Sequence, residues 1–185
     1  MEPKRGFVAR FREADVKHPR NGPPVGIEVF RESFVLHRLI NDALKDFGPP
    51  LISLAQEGHE LFVEETRRLG REEQKDWVDL VHSDDLPLNI EGAAFRPDGS
   101  LLLGLRFPVA DDGRPILVEL EGIERVFEPG DRLPKAKGVW VVDAIGHGGD
   151  MAGVRDLTIV GDEVHLITGN VDGRGEESPL IKNYD

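Results

Sequence analysis

Glu91 and Arg155 occupy matching places in two similar stretches. Each stands just ahead of an apolar strand that runs into a glycine turn, Asp98-Gly99 in one case and Gly161-Asp162 in the other. A carboxylate and a guanidinium so placed can do one of two things. They can form an ion pair that holds neighbouring units in register, each satisfying a charge that is very costly to bury alone. Or they can contact a ligand together. Arg106, just before Phe107-Pro108, and Asp156, next to Arg155, add two charged groups to the same candidate ligand site. The matching positions predict that Glu91 and Arg155 lie close in space, buried if they form a structural pair and on an exposed rim if they contact a ligand. A second constellation falls in and before the glycine-rich stretch 146–153. There Asp143, His147 and Asp150 offer the oxygen and imidazole ligands that a divalent metal such as calcium or magnesium takes.

Other chemistries find no foothold. There is no Gly-x-Ser-x-Gly elbow and no pair of histidines four apart. The chain has no cysteine, which excludes disulfides and thiolate nucleophiles. Trp77 and Trp140 read as packing residues, and His165, between Val164 and Leu166, as an outward-facing strand residue.

The elements that would position these residues are read mainly as strands. The clearest unit spans 88–108: a strand over 92–95, a Pro97-Asp98-Gly99 turn and a strand over 100–106. Pro pre-sets φ in that turn, Asp accepts local backbone bonds and Gly takes positive φ. Further strands are expected over 26–30, 33–39, 115–120, 138–143 and 180–184, with a minor one at 125–127 and a hairpin over 155–160 and 163–168. The segment 40–47 reads as one or two helical turns, and 64–81 as either a short helix or an outer strand. Little helix is expected overall.

Three stretches align on their turns: 51–63 at Glu57-Gly58, 91–103 at Asp98-Gly99, and 155–166 at Gly161-Asp162. The 40 positions from Leu61 to Leu101 suit one four-stranded blade of a β-propeller. The expected architecture is therefore a partial propeller of three to four antiparallel blades over 25–185. An N-terminal arm over 1–24 precedes it, in which Phe7, Val8 and Phe11 could add an edge strand. Such an arc leaves two apolar blade faces without neighbours, which predicts a homodimer that completes the ring.

The motifs carry a resemblance. Leu88-Asn89-Ile90-Glu91-Gly92-Ala93, then Gly104-Leu105-Arg106-Phe107-Pro108, then Gly153-Val154-Arg155-Asp156-Leu157, resemble in order the Asn-Ile-Glu-Gly-Leu-Ala, Gly-Leu-Arg-Asn-Pro and Gly-Ile-Arg stretches of the bacterial propeller-like family called domain of unknown function 3616. More faintly, the chain resembles the esterase-like phytase propellers. The first likeness implies a propeller with no assigned activity. The second implies a metal-dependent phosphoester hydrolase, for which Glu91, Asp143, Asp150 and Asp156 are the available carboxylates. Phe107 stands where the first family's pattern has Asn.

Composition narrows the function further. The 23 Lys and Arg stand against 35 Asp and Glu, a formal net charge of −12. That argues against nucleic-acid and anionic-membrane partners, which need a basic face. Residues 1–24 are charged throughout and carry no apolar core of a secretory signal, so a soluble cytoplasmic protein is expected. The expected function is a binding or scaffold module for a small ligand or a protein. The metal-dependent phosphoester hydrolase is the alternative.

Overall fold

The computed structural model describes residues 8–12, 26–30, 34–128, 133–144 and 150–171. It is mainly β with a substantial helical part. Strands β1 (Val8–Arg10) and β2 (Glu28–Phe30) pair antiparallel, Val8 opposite Phe30. Helix α1 (Val35–Phe47) follows. A second helical stretch comprises α2 (Gln56–His59), a π-helical turn (Glu60–Glu64) and α3 (Glu65–Glu72). Strands β3 (Asn89–Phe95), β4 (Leu101–Phe107), β5 (Ile116–Glu121) and β6 (Lys135–Val141) form an antiparallel meander in that order. Strands β7 (Ala152–Val160) and β8 (Glu163–Asn170) make a final hairpin.

The core has three layers. Residues 101–105, Leu-Leu-Leu-Gly-Leu, and 116–120, Ile-Leu-Val-Glu-Leu, are apolar at nearly every position rather than at alternate ones. Such a run fits a strand covered on both faces, and all of these residues are buried. One face of the sheet sets Leu101, Leu103, Leu105, Ile116, Val118 and Leu120 against Ile40, Ala43 and Leu44 of α1. The other sets Leu102 and Leu117 against Val154 and Leu157 of β7. Two glycines permit that second contact. A Cβ on Gly104 would collide with Val154, and a Cβ on Gly153 would run into the backbone of Arg106, 2.7 Å from its Cα.

Several expected elements come out differently. Residues 35–39 are helical, not a strand, because Val35, Ile40, Ala43 and Leu44 recur on one helical face that the sheet buries. Residues 56–63 are helical rather than a hairpin. Glu57-Gly58 does not turn the chain, and Gly58 is buried inside the helical stretch. Glutamates and arginines three and four apart support the helix, Arg67 with Glu64 at 3.1 Å and Arg68 with Glu65 at 2.6 Å. The first of the three aligned repeats is thus not a repeat in structure. Of residues 64–81, expected as a short helix or an outer strand, the first part is helical to Glu72, and after a turn at 73–75 a 3-10 helix (Asp76–Leu80) follows. Residues 123–127 also form a 3-10 turn, entered through Gly122 at φ 72°, where a minor strand is expected. The central unit, the strand at 116–121 and the last hairpin match expectation, and the strand expected over 138–143 is found as Lys135–Val141. Val8–Arg10 is the edge strand foreseen in the arm. Residues 1–7 and 13–24, and the strand expected at 180–184, lie outside the described residues. Among the described residues, no helix is long and apolar enough to cross a membrane.

Gly153→Ala tests the stacking of β7. The methyl group meets backbone rather than a side-chain tip, so it is expected to cost about 3 kcal/mol, the upper range of overpacking. Urea denaturation measures it, and a change under about 0.5 kcal/mol, the range of neutral surface substitutions, contradicts this packing.

Candidate functional site

Each described sheet pairing that breaks register does so at a charged residue. In β3–β4, Asn89 pairs with Phe107 and Ile90 with Leu105, which leaves Arg106 as the extra residue. Ile90 with Leu105 and then Gly92 with Gly104 leaves Glu91. In β7–β8, Val154 pairs with Thr168 and Asp156 with Ile167, leaving Arg155. In β5–β6, Glu119 pairs with Gly138 and Leu120 with Ala136, leaving Lys137. A bulge leaves one residue out of the ladder and re-aims its side chain.

Three of these residues meet. Arg106 Nη1 donates to Glu91 Oε1 at 2.9 Å, and Arg155 Nη1 donates to Glu91 Oε2 at 3.3 Å. Arg155 Nη2 also donates to the Asn170 carbonyl at 2.6 Å, and the Asn170 side-chain amide donates to Asp150 Oδ2 at 3.2 Å. Glu91 and Arg155 are therefore close, as their matching positions predict. The burial expected of a structural pair is not found: the three side chains are 25–30% exposed. Partial burial pushes the Glu91 carboxyl up, but the hydrogen bonds and charges of Arg106 and then Arg155 outweigh it and hold it below the usual carboxylate range. The result is two guanidinium forks around one carboxylate, at the rim between the stacked sheets. Guanidinium does not give up its proton at ordinary pH, so this arrangement holds anions rather than transferring protons.

The other expected ligands do not all join. Asp156 Oδ1 accepts the Leu157 N–H at 2.9 Å, on its own strand. Asp143 stands beside the Arg114 guanidinium, whose pKa is raised chiefly by its hydrogen bond to Asp112. Asp150 is bonded to Asn170, and His147 lies outside the described residues. His165 is exposed, as expected; Trp140 is not a packing residue but 52% exposed.

Two further polar clusters escape sequence reading. Asp85 is fully buried and accepts from the His82 N–H at 2.8 Å, Arg38 Nη1 at 2.8 Å, His37 Nε2 at 3.1 Å and Lys45 Nζ at 3.3 Å. Buried Asn41 adds a two-way clamp: its amide donates to the Leu86 carbonyl at 3.2 Å and accepts the Leu86 N–H at 3.0 Å. Together they fasten α1 to the segment 82–86. The legible signal was His37, Asn41 and Lys45, spaced by four on one helical face. Burial pushes the Asp85 carboxyl up, but the His82 N–H, Arg38 and His37 hold it below the usual range. Burial likewise pulls His37 below its ordinary value, against the opposing pull of Asp85. His82, Asp84 and Asp85 are the group that, among the described residues, brings metal-type ligand atoms within 4.8 Å of one another. The Lys45 ammonium already bridges Asp84, at 3.0 Å, and Asp85.

The second cluster centres on Glu119, the lone charge in the apolar run of β5 and itself buried. It accepts from Ser100 Oγ at 2.7 Å and Lys137 Nζ at 2.8 Å, and Lys137 also reaches Asp98 at 2.6 Å. Asp98, Ser100, Glu121, Glu124 and Lys137 help line an adjacent pocket of ≈ 280 Å³.

The Asp85 and Glu91 nodes should respond differently to mutation. Asp85→Ala strands the largely buried Arg38 and is expected to cost about 3–5 kcal/mol. Glu91→Ala, at a partly exposed site, is expected to cost about 1 kcal/mol. Urea titrations of both variants check the ranking, and equal costs would contradict the burial difference.

The pH dependence follows from the signs. His37 is lowered in the folded state, so its contribution is full above the unfolded value of about 6.5 and shrinks as pH falls below it. Asp85 is also lowered, so its contribution is full above about 4 and is lost as pH falls through the folded value. Denaturation midpoints should therefore decline below pH 6.5 and again below pH 4, with the second decline shallower in Asp85→Ala. A midpoint flat from pH 7.5 to pH 3 contradicts this.

Compared with known proteins, the chain matches no protein-family model, no curated protein and no solved structure.

Proposed function

We propose that the chain is a binding module on a propeller-type scaffold, with the Arg106–Glu91–Arg155 cluster as its contact for a small anionic ligand, a carboxylate or a phosphate. The observation that carries this reading is the convergence of three bulged residues, from β3, β4 and β7, on one partly open point. Each arginine has five N–H donors in a planar fork, and Glu91 and the Asn170 carbonyl take only some of them. Such forks match carboxylate and phosphate oxygens two at a time. The scaffold reading is supported by the four-stranded meander with a hairpin stacked on its first two strands, the relation between one propeller blade and the first half of the next.

A metal-dependent phosphoester hydrolase is less well supported. It needs Glu91, Asp143, Asp150 and Asp156 gathered around a cation. Glu91 is held by two arginines, Asp150 by Asn170 and Asp156 by a backbone N–H, while Asp143 stands beside Arg114.

Calorimetric titration with inorganic phosphate and with succinate tests the reading. Glu91 competes with an incoming anion, so Glu91→Ala should bind phosphate or succinate at least ~10-fold more tightly than the parent, a gain of about 1.4 kcal/mol. Arg155→Gln should weaken binding by a similar factor. Absence of saturable binding to both the parent and Glu91→Ala would sink the proposal.

A further inference from the structure

We infer that the free edge of β8 is a docking site for an extended basic peptide, which adds to the β7–β8 hairpin as a third strand. This does not depend on the anion site. Among the described residues β8 pairs with β7 and with nothing else. It is eight residues long and unbroken by a bulge, and it carries neither lysine nor proline. Those are the devices by which sheet edges are ordinarily protected from further pairing.

The direction of its free hydrogen-bonding groups follows from the hairpin. Val160 and Glu163 flank a two-residue loop, with Gly161 at φ 64°, so they form a hydrogen-bonded pair. Pairs then alternate, and the N–H and C=O groups of Val164, Leu166 and Thr168 point away from β7. A strand laid along this edge finds them presented in register. On the outer face beside the edge, Ile167 is 62% exposed and Val160 60%. An alternating peptide would cover these with its apolar side chains.

Charge selects the partner. Residues 150–171 contain Asp150, Asp156, Asp162 and Glu163 against Arg155 alone, and Arg155 is paired with Glu91. The whole chain carries −12, so a second copy meets like charge, whereas a cationic strand meets opposite charge. Backbone pairing then supplies affinity and the alternating side chains supply selectivity.

The probe is a labelled, end-capped octapeptide of alternating valine and lysine, titrated with the full chain and followed by fluorescence anisotropy at physiological salt. A peptide with two valines replaced by proline is the control. Saturable binding is expected, weakened at least ~10-fold in the proline peptide and in Ile167→Lys, whose side chain is exposed enough to leave the fold intact. Amide exchange at Val164, Leu166 and Thr168 should slow on adding the peptide. No binding, or equal binding of both peptides, overturns the inference. So does self-association of the chain with those three amides already protected in the absence of peptide.

Discussion

Strands β4 and β5 are buried on both faces, and everything else in the described structure answers to that constraint. A two-sided apolar strand needs two covers, and the chain supplies them from opposite ends of its sequence. Helix α1 comes before the meander and β7 after it. The covers differ in how they are attached. On the α1 side large aliphatic groups meet across a helix–sheet interface. The helix is also pinned by Asp85 and Asn41, whose bonds are satisfied by Arg38, His37, Lys45 and the backbone of residues 82 and 86. On the β7 side Gly153 lies against the backbone of Arg106, and Gly104 leaves room for the side chains of Val154 and Leu157, so a side chain on either would hold the layers apart.

The bulges of β3, β4 and β7 lie beside that close approach. An extra residue in one strand bends it and turns that residue's side chain out of the ladder. The residues left out of the ladder cannot point into the apolar layers. Here they are charged, and they turn to the rim, where Arg106 and Arg155 find Glu91. Lys137, at the bulge of β6, finds Asp98 and Glu119 in the same way. Packing of the apolar layers thus determines where these ionic groups gather.

The far side of the hairpin is the contrast. Strand β7 packs on the meander, but β8 has no second strand partner among the described residues, and Ile167 of β8 and Val160 at the end of β7 are exposed. Strands β4 and β5 are covered on two sides, whereas β8, like the outer strands β3 and β6 of the meander, leaves large apolar side chains exposed.

From the sequence alone, the strands of the central unit, the last hairpin and the nearness of Glu91 to Arg155 could be read. Each rests on local signals: the Pro97-Asp98-Gly99 and Gly161-Asp162 turns, unbroken apolar runs, and matched positions ahead of two hairpins. Tertiary structure decided the rest. Residues 33–39 and 51–63 hold enough β-branched and aromatic side chains to read as strands, yet the sheet offers a face for α1, and burial on that face outweighs local preference. Glu57-Gly58 reads as a turn but is helical, because the charged pairs beyond it continue the helix. The exposure of the Glu91 cluster could not be read either. Opposite charges at matched positions predict contact, but whether the contact is buried depends on where the sheets stop overlapping, which no single strand encodes. The Asp85 and Glu119 nodes join residues from distant elements, and their geometry exists only once α1, the segment 82–86 and the meander have packed.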